Sequence, residues 1–308
     1  MDTVHTLADL ANWSYTGTAL AVVGHPVAHS VSPPMHNAAL ARLAARNPLF
    51  AHWRYFRFDV PPDDLPRALK LFHAKHFHGL NLTVPHKVLA FGRVATVDAA
   101  AQPSGAVNTL LRADAGWHGF NTDGHGLAAA VHEELRRELA GATVLLLGAG
   151  GAARGAAVEC VNRKAAALWI ANRTRSHLNA LLKELAPLAE AAGVPLHGLT
   201  LEELAARGHG GLPAHALVIN ATSAGLRVND AAPVALARLP RPAAVLDMIY
   251  NPPHTALLRE AGELGLPHAN GLSMLVHQGA KALEIWTAGA QIPVGSMRAA
   301  AEAALQKK

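Results

Sequence analysis

Short apolar runs alternate with amphipathic segments along the first part of this chain. The apolar runs at 18–23, 55–60 and 79–84 predict strands, and the periodic segments at 35–45, 65–72 and from Val88 onward predict helices. Gly24 and Pro26 end the first run, as turn residues do. Because strands and helices alternate, the pattern predicts an open α/β domain with parallel strands.

A second alternating series begins at Thr143. Its apolar runs, separated by helical stretches, are at 143–147, 167–171, 216–220 and 244–248. This pattern is typical of a doubly wound, Rossmann-like sheet. The domain change is placed near Asp123, and a last helix at 273–288 is expected to return to the first domain. The predicted domains are therefore 1–123 with 273–308, and 124–272.

Composition limits the class of protein. The chain has 308 residues, of which 51% are hydrophobic and 16% charged, enough apolar material for two packed domains. It has no apolar run of about 18 residues, its first residues lack a basic start, and its one cysteine, Cys160, cannot form an internal disulfide. A cytoplasmic protein without a membrane partner is expected.

The formal charge of +5 does not indicate nucleic-acid binding, because the basic residues are scattered and no basic run is interleaved with aromatic residues. A mildly positive surface instead favours encounter with small anions.

A glycine-rich turn joins the first strand of the second series to a helix. Gly148, Gly150 and Gly151 allow a tight turn and close approach of a pyrophosphate to the helix N-terminus, with Ala153 where a third glycine is common. This context predicts a dinucleotide site, the alternative being an ordinary tight turn.

The next strand ends in Asn172, Arg173, Thr174 and Arg175, without the carboxylate that binds an NAD ribose. Two arginines there favour the 2′-phosphate of NADP, unless they are solvated helix-start residues.

Three polar clusters follow strands of the first domain, where open α/β sheets bind ligands. They are Ser-Val-Ser-Pro at 30–33, Asn-Leu-Thr-Val-Pro-His-Lys at 81–87, and Asn108 with Asn-Thr-Asp-Gly at 121–124. Together with the segments 148–154, 172–174, 220–225, 247–250 and 270–278, they resemble the shikimate dehydrogenase family in order and spacing. The resemblance extends from about Ala19 to Trp286.

The resemblance implies an NADP-dependent oxidoreductase that reversibly reduces 3-dehydroshikimate to shikimate in chorismate and aromatic amino acid biosynthesis, as a monomer or homodimer. It implies that residues 1–123 and 273–308 form the substrate-binding catalytic domain and that 124–272 bind NADP. A ligand with one carboxylate and three hydroxyls agrees with sites rich in hydroxyls and amides.

The resemblance also implies roles for individual residues. The substrate carboxylate is assigned to Ser30, Ser32 and Thr83. The ring hydroxyls are assigned to Asn81, Lys87, Asn108, Asp123 and Gln278, with Tyr250 nearby. The predicted cofactor residues are Gly148, Ala149, Gly150, Gly151, Ala152, Asn172, Arg173, Thr174, Arg175, Thr222, Met248 and Gly271.

Lys87 and Asp123 are the predicted catalytic residues. Pro85 is read as the first residue of a helix, which places Lys87 in a first turn, where the helix dipole disfavours a cation by about 0.3 to 1 kcal/mol. A carboxylate near Lys87 would hold its ammonium and orient it toward the reacting oxygen. Asp123 is alternatively a simple N-cap.

Gln278 faces inward on its predicted helix, so it either satisfies a buried backbone group or meets a ligand.

Other chemistries are rejected. His73, His76 and His78 lie close together, but no cysteine or suitably spaced carboxylate completes a metal site, and none is predicted. Ser273 lacks the second glycine of a nucleophile elbow, which argues against a hydrolase.

Two rival functions remain: a quinate/shikimate dehydrogenase with relaxed substrate or NAD use, and a non-catalytic NADP-binding sensor. The chain departs from the family pattern at His25, where asparagine is usual, and in an N-terminal extension that is expected to cover a sheet edge.

Overall fold

The computed structural model describes residues 3–207, 211–227 and 229–307. The chain forms two compact units, Met1–Thr122 with Val276–Lys308, and Asp123–Leu275. The domain boundaries predicted from the sequence lie at 123/124 and 272/273. Within the described residues, none of the helices has the length and apolarity needed to cross a bilayer.

The first unit is an α/β layer built around one sheet. Its elements in chain order are α1 (Leu7–Ala11), β1 (Thr18–Gly24), α2 (Ser32–Arg46), β2 (Trp53–Asp59), α3 (Leu65–Ala74), β3 (Gly79–Leu82), α4 (His86–Phe91), β4 (Thr96–Val97), β5 (Thr109–Ala113) and β6 (Gly116–Phe120). The sheet has the order β2-β1-β3-β5-β6-β4. Strands β1, β2 and β3 are parallel, as predicted.

The sheet is nevertheless mixed, because β5 is antiparallel to both β3 and β6. The sequence analysis did not anticipate this hairpin. Its second strand carries Gly116, His118 and Gly119, which interrupt the apolar alternation that predicts a strand. The hairpin turns at residues 114–115, and Gly116, the first residue of β6, has a φ of 134°, which favours glycine.

The second unit is the predicted doubly wound fold. It contains α5 (Asp123–Leu135), β7 (Thr143–Leu147), α6 (Gly151–Asn162), β8 (Ala167–Asn172), α7 (Arg175–Ala192), β9 (Leu196–Thr200), α8 (Leu201–Arg207), β10 (Leu217–Asn220), β11 (Ala244–Asp247), α9 (Ala256–Glu263) and β12 (His268–Ala269). All its strands are parallel, in the order β12-β11-β10-β7-β8-β9. Apolar clusters built on alternate residues of β7, such as Val144 and Leu145, bury the two faces of the sheet.

Two C-terminal helices, α10 (Leu272–Trp286) and α11 (Val294–Gln306), complete the chain. The indole Nε1 of Trp286 donates to the Leu110 carbonyl of β5 at 2.9 Å, and α11 packs against α2. A β-carbon at Gly79 would lie 2.2 Å from the Trp286 indole nitrogen, so β3 and α10 approach closely. The predicted return of the last long helix to the first sheet is confirmed.

Each sheet has one point where the strand order reverses. In the first unit it lies between β1 and β3, and in the second between β7 and β10. The loops that leave the carboxyl ends of strands diverge at such points and open a crevice, which is where open α/β sheets bind ligands. Most of the predicted site residues follow such strand ends, in one unit or the other.

Candidate active site

The turn after β7 is shaped by glycine. Gly148 has a φ of 115°, and a β-carbon there would lie 3.0 Å from the Ala221 carbonyl oxygen. Gly150 is the N-cap of α6, and a β-carbon on it would meet no described atom within 4 Å. Gly151 and Ala152 are the first helical residues, next to the buried Ala149. Their backbone N–H groups and the helix dipole suit an anion that approaches over Gly150.

The turn after β8 separates the two predicted arginines. The Asn172 amide donates to the Thr174 carbonyl at 2.9 Å, which holds the turn, and α7 begins at Arg175. Arg175 forms an ion pair with Glu203 of α8, whereas no described residue forms an ion pair with the exposed Arg173. Because the turn contains arginines and no carboxylate, its positive charge suits a 2′-phosphate. Of the two arginines, Arg173 has the guanidinium that no described carboxylate engages.

The carboxyl ends of β10 and β11 are joined by a buried polar network. The Asn220 amide donates to Asp247 Oδ1 at 2.9 Å, and Asn220 Oδ1 accepts the N–H and hydroxyl of Thr222 at 3.0 and 2.7 Å. The Thr255 hydroxyl donates to Asp247 Oδ2 at 2.6 Å. Burial raises the pKa of Asp247, while its hydrogen bonds with Thr255, Ile249 and Asn220 act in the opposite direction. The network fixes the loop that carries Thr222.

The loops after β11 and β12 carry three more of the predicted residues. Met248 and Tyr250 follow β11, and Gly271 follows β12. The Met248 N–H donates to the Asn220 carbonyl at 2.9 Å, and the Gly271 N–H donates to the Ile249 carbonyl at 3.1 Å. A β-carbon at Gly271 would lie 2.0 Å from the Met248 carbonyl oxygen, so only glycine fits there. Tyr250 is half-buried within the second unit.

Ser30 and Ser32 lie at the start of α2 in the first unit. Ser32 is the first helical residue and is 6% exposed, and its N–H donates to Ser30 Oγ at 3.2 Å. Val31, the N-cap, has no side-chain capping bond. Two hydroxyls at the N-terminus of a 15-residue helix form a donor-rich, positively polarised position that suits a carboxylate.

Thr83 and Lys87 lie in the turn between β3 and α4. The Thr83 N–H donates to the Val23 carbonyl at 3.0 Å, and the Thr83 carbonyl accepts the His86 N–H at 2.8 Å. The prediction that Pro85 is the first helical residue is wrong by one position: Pro85 is the N-cap and α4 begins at His86. Lys87 remains in the first turn, half-buried, and its carbonyl accepts the Val107 N–H at 2.9 Å.

Asn81, Asn108 and Gln278 form an amide cluster within the first unit. Asn108 is 1% exposed, and its amide donates to Thr122 Oγ1 at 3.0 Å and to Gln278 Oε1 at 3.3 Å. The Asn81 amide donates to the Asn108 carbonyl at 3.2 Å and to Thr109 Oγ1 at 3.0 Å. Gln278 of α10 therefore accepts hydrogen bonds from the residue before β5 and from the segment after β6, as an inward-facing amide should.

Asp123 is the first residue of α5 and is 3% exposed. It belongs to the second unit with Tyr250, whereas the other predicted substrate residues, from Ser30 to Gln278, belong to the first. A first-turn carboxylate complements the helix dipole, so its position alone is also compatible with a purely structural role.

Two of the three close histidines contact different backbone carbonyls, and the third is exposed. His73 Nε2 contacts the Ala113 carbonyl at 2.8 Å, and His78 Nε2 contacts the Trp286 carbonyl at 2.9 Å. His76 is exposed with a φ of 59°. In the part of the chain that the structure describes, no three His, Cys, Asp or Glu side chains are grouped as metal ligands.

Sequence reasoning assigned no role to Tyr55 and His36, which lie beneath the amide cluster. The Tyr55 hydroxyl donates to Asn81 Oδ1 at 2.8 Å, and the His36 ring stacks on the Tyr55 ring at 4.0 Å between centroids. His36 Nδ1 contacts the Ser32 carbonyl at 2.8 Å. The sequence did contain one signal for His36: it lies four residues after Ser32, on the apolar side of a helix.

We expect His36 to make the fold acid-sensitive. Burial lowers its pKa to about 4 from 6.5, so the folded state binds fewer protons than the unfolded chain between these values. The free energy of unfolding should therefore decrease as the pH falls from 6.5 to 4, by about 3 kcal/mol from this residue. Urea unfolding of the protein and of His36→Phe at several pH values measures the difference.

In His36→Phe this part of the pH dependence should disappear, whatever the stability at neutral pH. The matched control is His76→Asn, which removes an exposed imidazole and should leave the slope unchanged. Equal slopes in the protein and in His36→Phe would contradict the prediction.

Comparison with known proteins adds independent findings. The chain matches the shikimate dehydrogenase substrate binding domain over residues 22–110, the shikimate/quinate 5-dehydrogenase family over 129–246, and the shikimate 5'-dehydrogenase C-terminal domain over 271–302. It is 39% identical over 292 residues to the NADP(+) shikimate dehydrogenase of Symbiobacterium thermophilum, covering 94% of this chain and 95% of that protein.

Solved structures agree with these matches. The shikimate 5-dehydrogenase of Thermus thermophilus, crystallised with NADP(H) and shikimate, has a TM-score of 0.78 at 36% identity and covers 94% of this chain and 100% of its own. The 5-ketofructose reductase of a Gluconobacter strain has a TM-score of 0.77 at 31% identity, covering 94% and 99%. The fold is thus shared by enzymes with different substrates, but the sequence matches extend over both compact units. The chain belongs to the shikimate dehydrogenase family.

Proposed function

We propose that this protein catalyses the NADPH-dependent, reversible reduction of 3-dehydroshikimate to shikimate, a step toward chorismate and the aromatic amino acids. The observation that carries the proposal is the donor set of the first unit. It combines two hydroxyls at the N-terminus of α2, Ser30 and Ser32, with an amide cluster at Asn81, Asn108 and Gln278. This set suits a small ligand with a carboxylate at one end and hydroxyls at the other.

The cofactor assignment rests on the second unit. We assign the pyrophosphate to the turn at Gly148, Gly150 and Gly151, and the 2′-phosphate to Arg173, with Asn172 and Thr174 shaping the turn. Arg175 belongs to the same cationic surface but is paired with Glu203. Thr222, Met248 and Gly271 are also assigned to the cofactor. When bound, NADPH supplies the hydride for the ketone.

We assign the proton chemistry to Lys87 and Asp123. The Lys87 ammonium donates to the substrate oxygen as negative charge develops on it, which stabilises the transition state more than the ground state. The Asp123 carboxylate is assigned as a hydrogen-bond acceptor for a substrate hydroxyl. Thr83 and Tyr250 complete the assigned substrate residues.

A steady-state comparison of shikimate and quinate, each with NADP and NAD, tests the proposal. The expected result is that shikimate with NADP has the highest kcat/KM of the four pairs. A preference for quinate or for NAD would support the broader quinate/shikimate activity instead. Binding of NADP without turnover of either substrate would support a non-catalytic sensor. Because a fold relative acts on 5-ketofructose, that ketone with NADPH belongs in the same assay.

The carboxylate assignment predicts a separate effect on substrate binding. The double variant Ser30→Ala, Ser32→Ala should raise the KM for shikimate by roughly 10²-fold or more, because each hydrogen bond to a charged group contributes about 1.5 to 3 kcal/mol. The KM for NADP should stay nearly unchanged. Initial-rate kinetics with each substrate varied in turn measures both constants.

The matched control is Ser296→Ala on α11 of the same unit, for which both KM values should match those of the unmodified protein. A raised KM for NADP with an unchanged KM for shikimate in the double variant would show that the carboxylate is bound elsewhere.

A further inference from the structure

The orientation of the Asn81 side chain is decided by its neighbours. Asn81 is 6% exposed, and its Nδ2 donates to the Asn108 carbonyl and to Thr109 Oγ1, at 3.2 and 3.0 Å. Its Oδ1 accepts the Tyr55 hydroxyl at 2.8 Å. A flipped amide would set Oδ1 against the Asn108 carbonyl, two acceptors without a proton between them. Both amide protons are therefore committed, and Oδ1 keeps one lone pair for a ligand.

Tyr55 is held rigidly in this role. It is 1% exposed on β2, and burial raises the pKa of its phenol well above 10.0, so the hydroxyl remains a donor at physiological pH. The His36 ring lies on one face of the Tyr55 ring with an interplanar angle of 12°, and the Trp286 ring is 6.2 Å away. Neither tyrosine torsion can change without disturbing this packing.

His36 connects the same stack to the start of α2. It is fully buried, and its Nδ1 lies 2.8 Å from the Ser32 carbonyl in the first turn of the helix. The stack thus touches both ends of the assigned substrate site: Ser32 at the carboxylate end, through His36, and Asn81 at the hydroxyl end, through Tyr55.

We propose that Tyr55 is a positioning residue for substrate recognition, whose hydroxyl, held by the stack on His36, fixes the Asn81 amide so that Oδ1 accepts a hydrogen bond from a substrate ring hydroxyl. This inference rests on the proposed function, because it needs a polyhydroxylated substrate at Asn81. Tyr55 acts through Asn81 and contacts no substrate atom. Its contribution belongs in substrate binding, and NADP binding is independent of it.

The test is a double-mutant cycle on the KM for shikimate with Tyr55→Phe and Asn81→Ala. Tyr55→Phe keeps the stacked ring and removes only the hydroxyl, so we expect the KM to rise roughly 3- to 10-fold, the range for one neutral hydrogen bond. In the Asn81→Ala background, Tyr55→Phe should have no further effect, because the group through which it acts is gone. A purely structural role would raise the KM by the same factor in both backgrounds and would overturn the proposal.

Controls separate this inference from the proposed function. Tyr15→Phe removes another tyrosine hydroxyl of the same unit, which donates to the His52 carbonyl at 3.1 Å, and should leave the KM unchanged. Thr109→Val removes the acceptor on the other side of the amide and repeats the cycle if Tyr55→Phe does not fold. If the unmodified protein oxidises shikimate and Tyr55→Phe has the same KM, only the positioning role is overturned. If the unmodified protein does not oxidise shikimate, the proposed function fails, and this inference fails with it.

Discussion

Replacement of Lys87 with alanine should lower kcat for the reduction of 3-dehydroshikimate by about 10²- to 10⁴-fold, the range for a positioned acid/base group. The reason is electrostatic: hydride addition to a ketone places negative charge on its oxygen, and the assigned ammonium stabilises that charge. The KM for the substrate should change less. Steady-state kinetics with NADPH, together with circular dichroism to establish folding, measures the effect.

The matched control is Lys70→Ala, which removes an exposed lysine from α3 of the same unit and should leave kcat unchanged. A folded Lys87→Ala enzyme with near-normal kcat would end the catalytic assignment. Asp123→Asn should also lower kcat. If the two residues act as one unit, the double variant should lose much less than the product of the two single losses. If the kcat losses of the two single variants instead multiply in the double variant, the residues act independently. Asp123 would then have only a structural role at the start of α5.

Replacement of Arg173 with aspartate should lower kcat/KM for NADP by roughly 10²-fold while changing that for NAD little or raising it. The 2′-phosphate loses a charge-assisted hydrogen bond and meets a like charge, whereas the 2′-hydroxyl of NAD gains an acceptor. The expected result is a shift of cofactor preference toward NAD. Initial rates with shikimate and each cofactor measure the ratio.

Two control variants make this result specific. Arg175→Ala should have a smaller effect than Arg173→Ala, because Arg175 is already paired with Glu203. Arg238→Asp reverses an exposed charge elsewhere in the second unit and should leave the NADP to NAD ratio unchanged. An unchanged ratio in Arg173→Asp would contradict the assignment of the 2′-phosphate to this turn.

The elements nearest the proposed site were predictable because their signals are local. A buried parallel strand is a short apolar run, and a strand that ends in Gly148 and continues into a helix is recognisable from adjacent residues. The predicted strands of the second unit agree with β7, β8, β10 and β11 to within a residue at each end. The hairpin of β5 and β6 was not predicted, because its pairing stabilises strands whose glycines and polar residues hide the alternation.

The residue pattern alone predicts the two-part α/β plan, the glycine turn after β7, the carboxylate-free turn after β8 and the polar character of the clusters after β1 and β3. Each depends on residues that are neighbours in the chain, whose backbone preferences and periodicity act over a few positions. These features are enough to indicate the family and the class of cofactor.

Contacts between residues far apart in the chain determine which side-chain atoms can meet a ligand. Arg173 and Arg175 are equivalent in the sequence, but Glu203, 28 residues after Arg175, pairs with only one of them. The Asn81 amide is oriented by Tyr55, Asn108 and Thr109, each about 26 to 28 residues away in the chain. The physical reason is that strand pairing and helix packing bring distant side chains within hydrogen-bond distance, and no local pattern encodes which partners will meet.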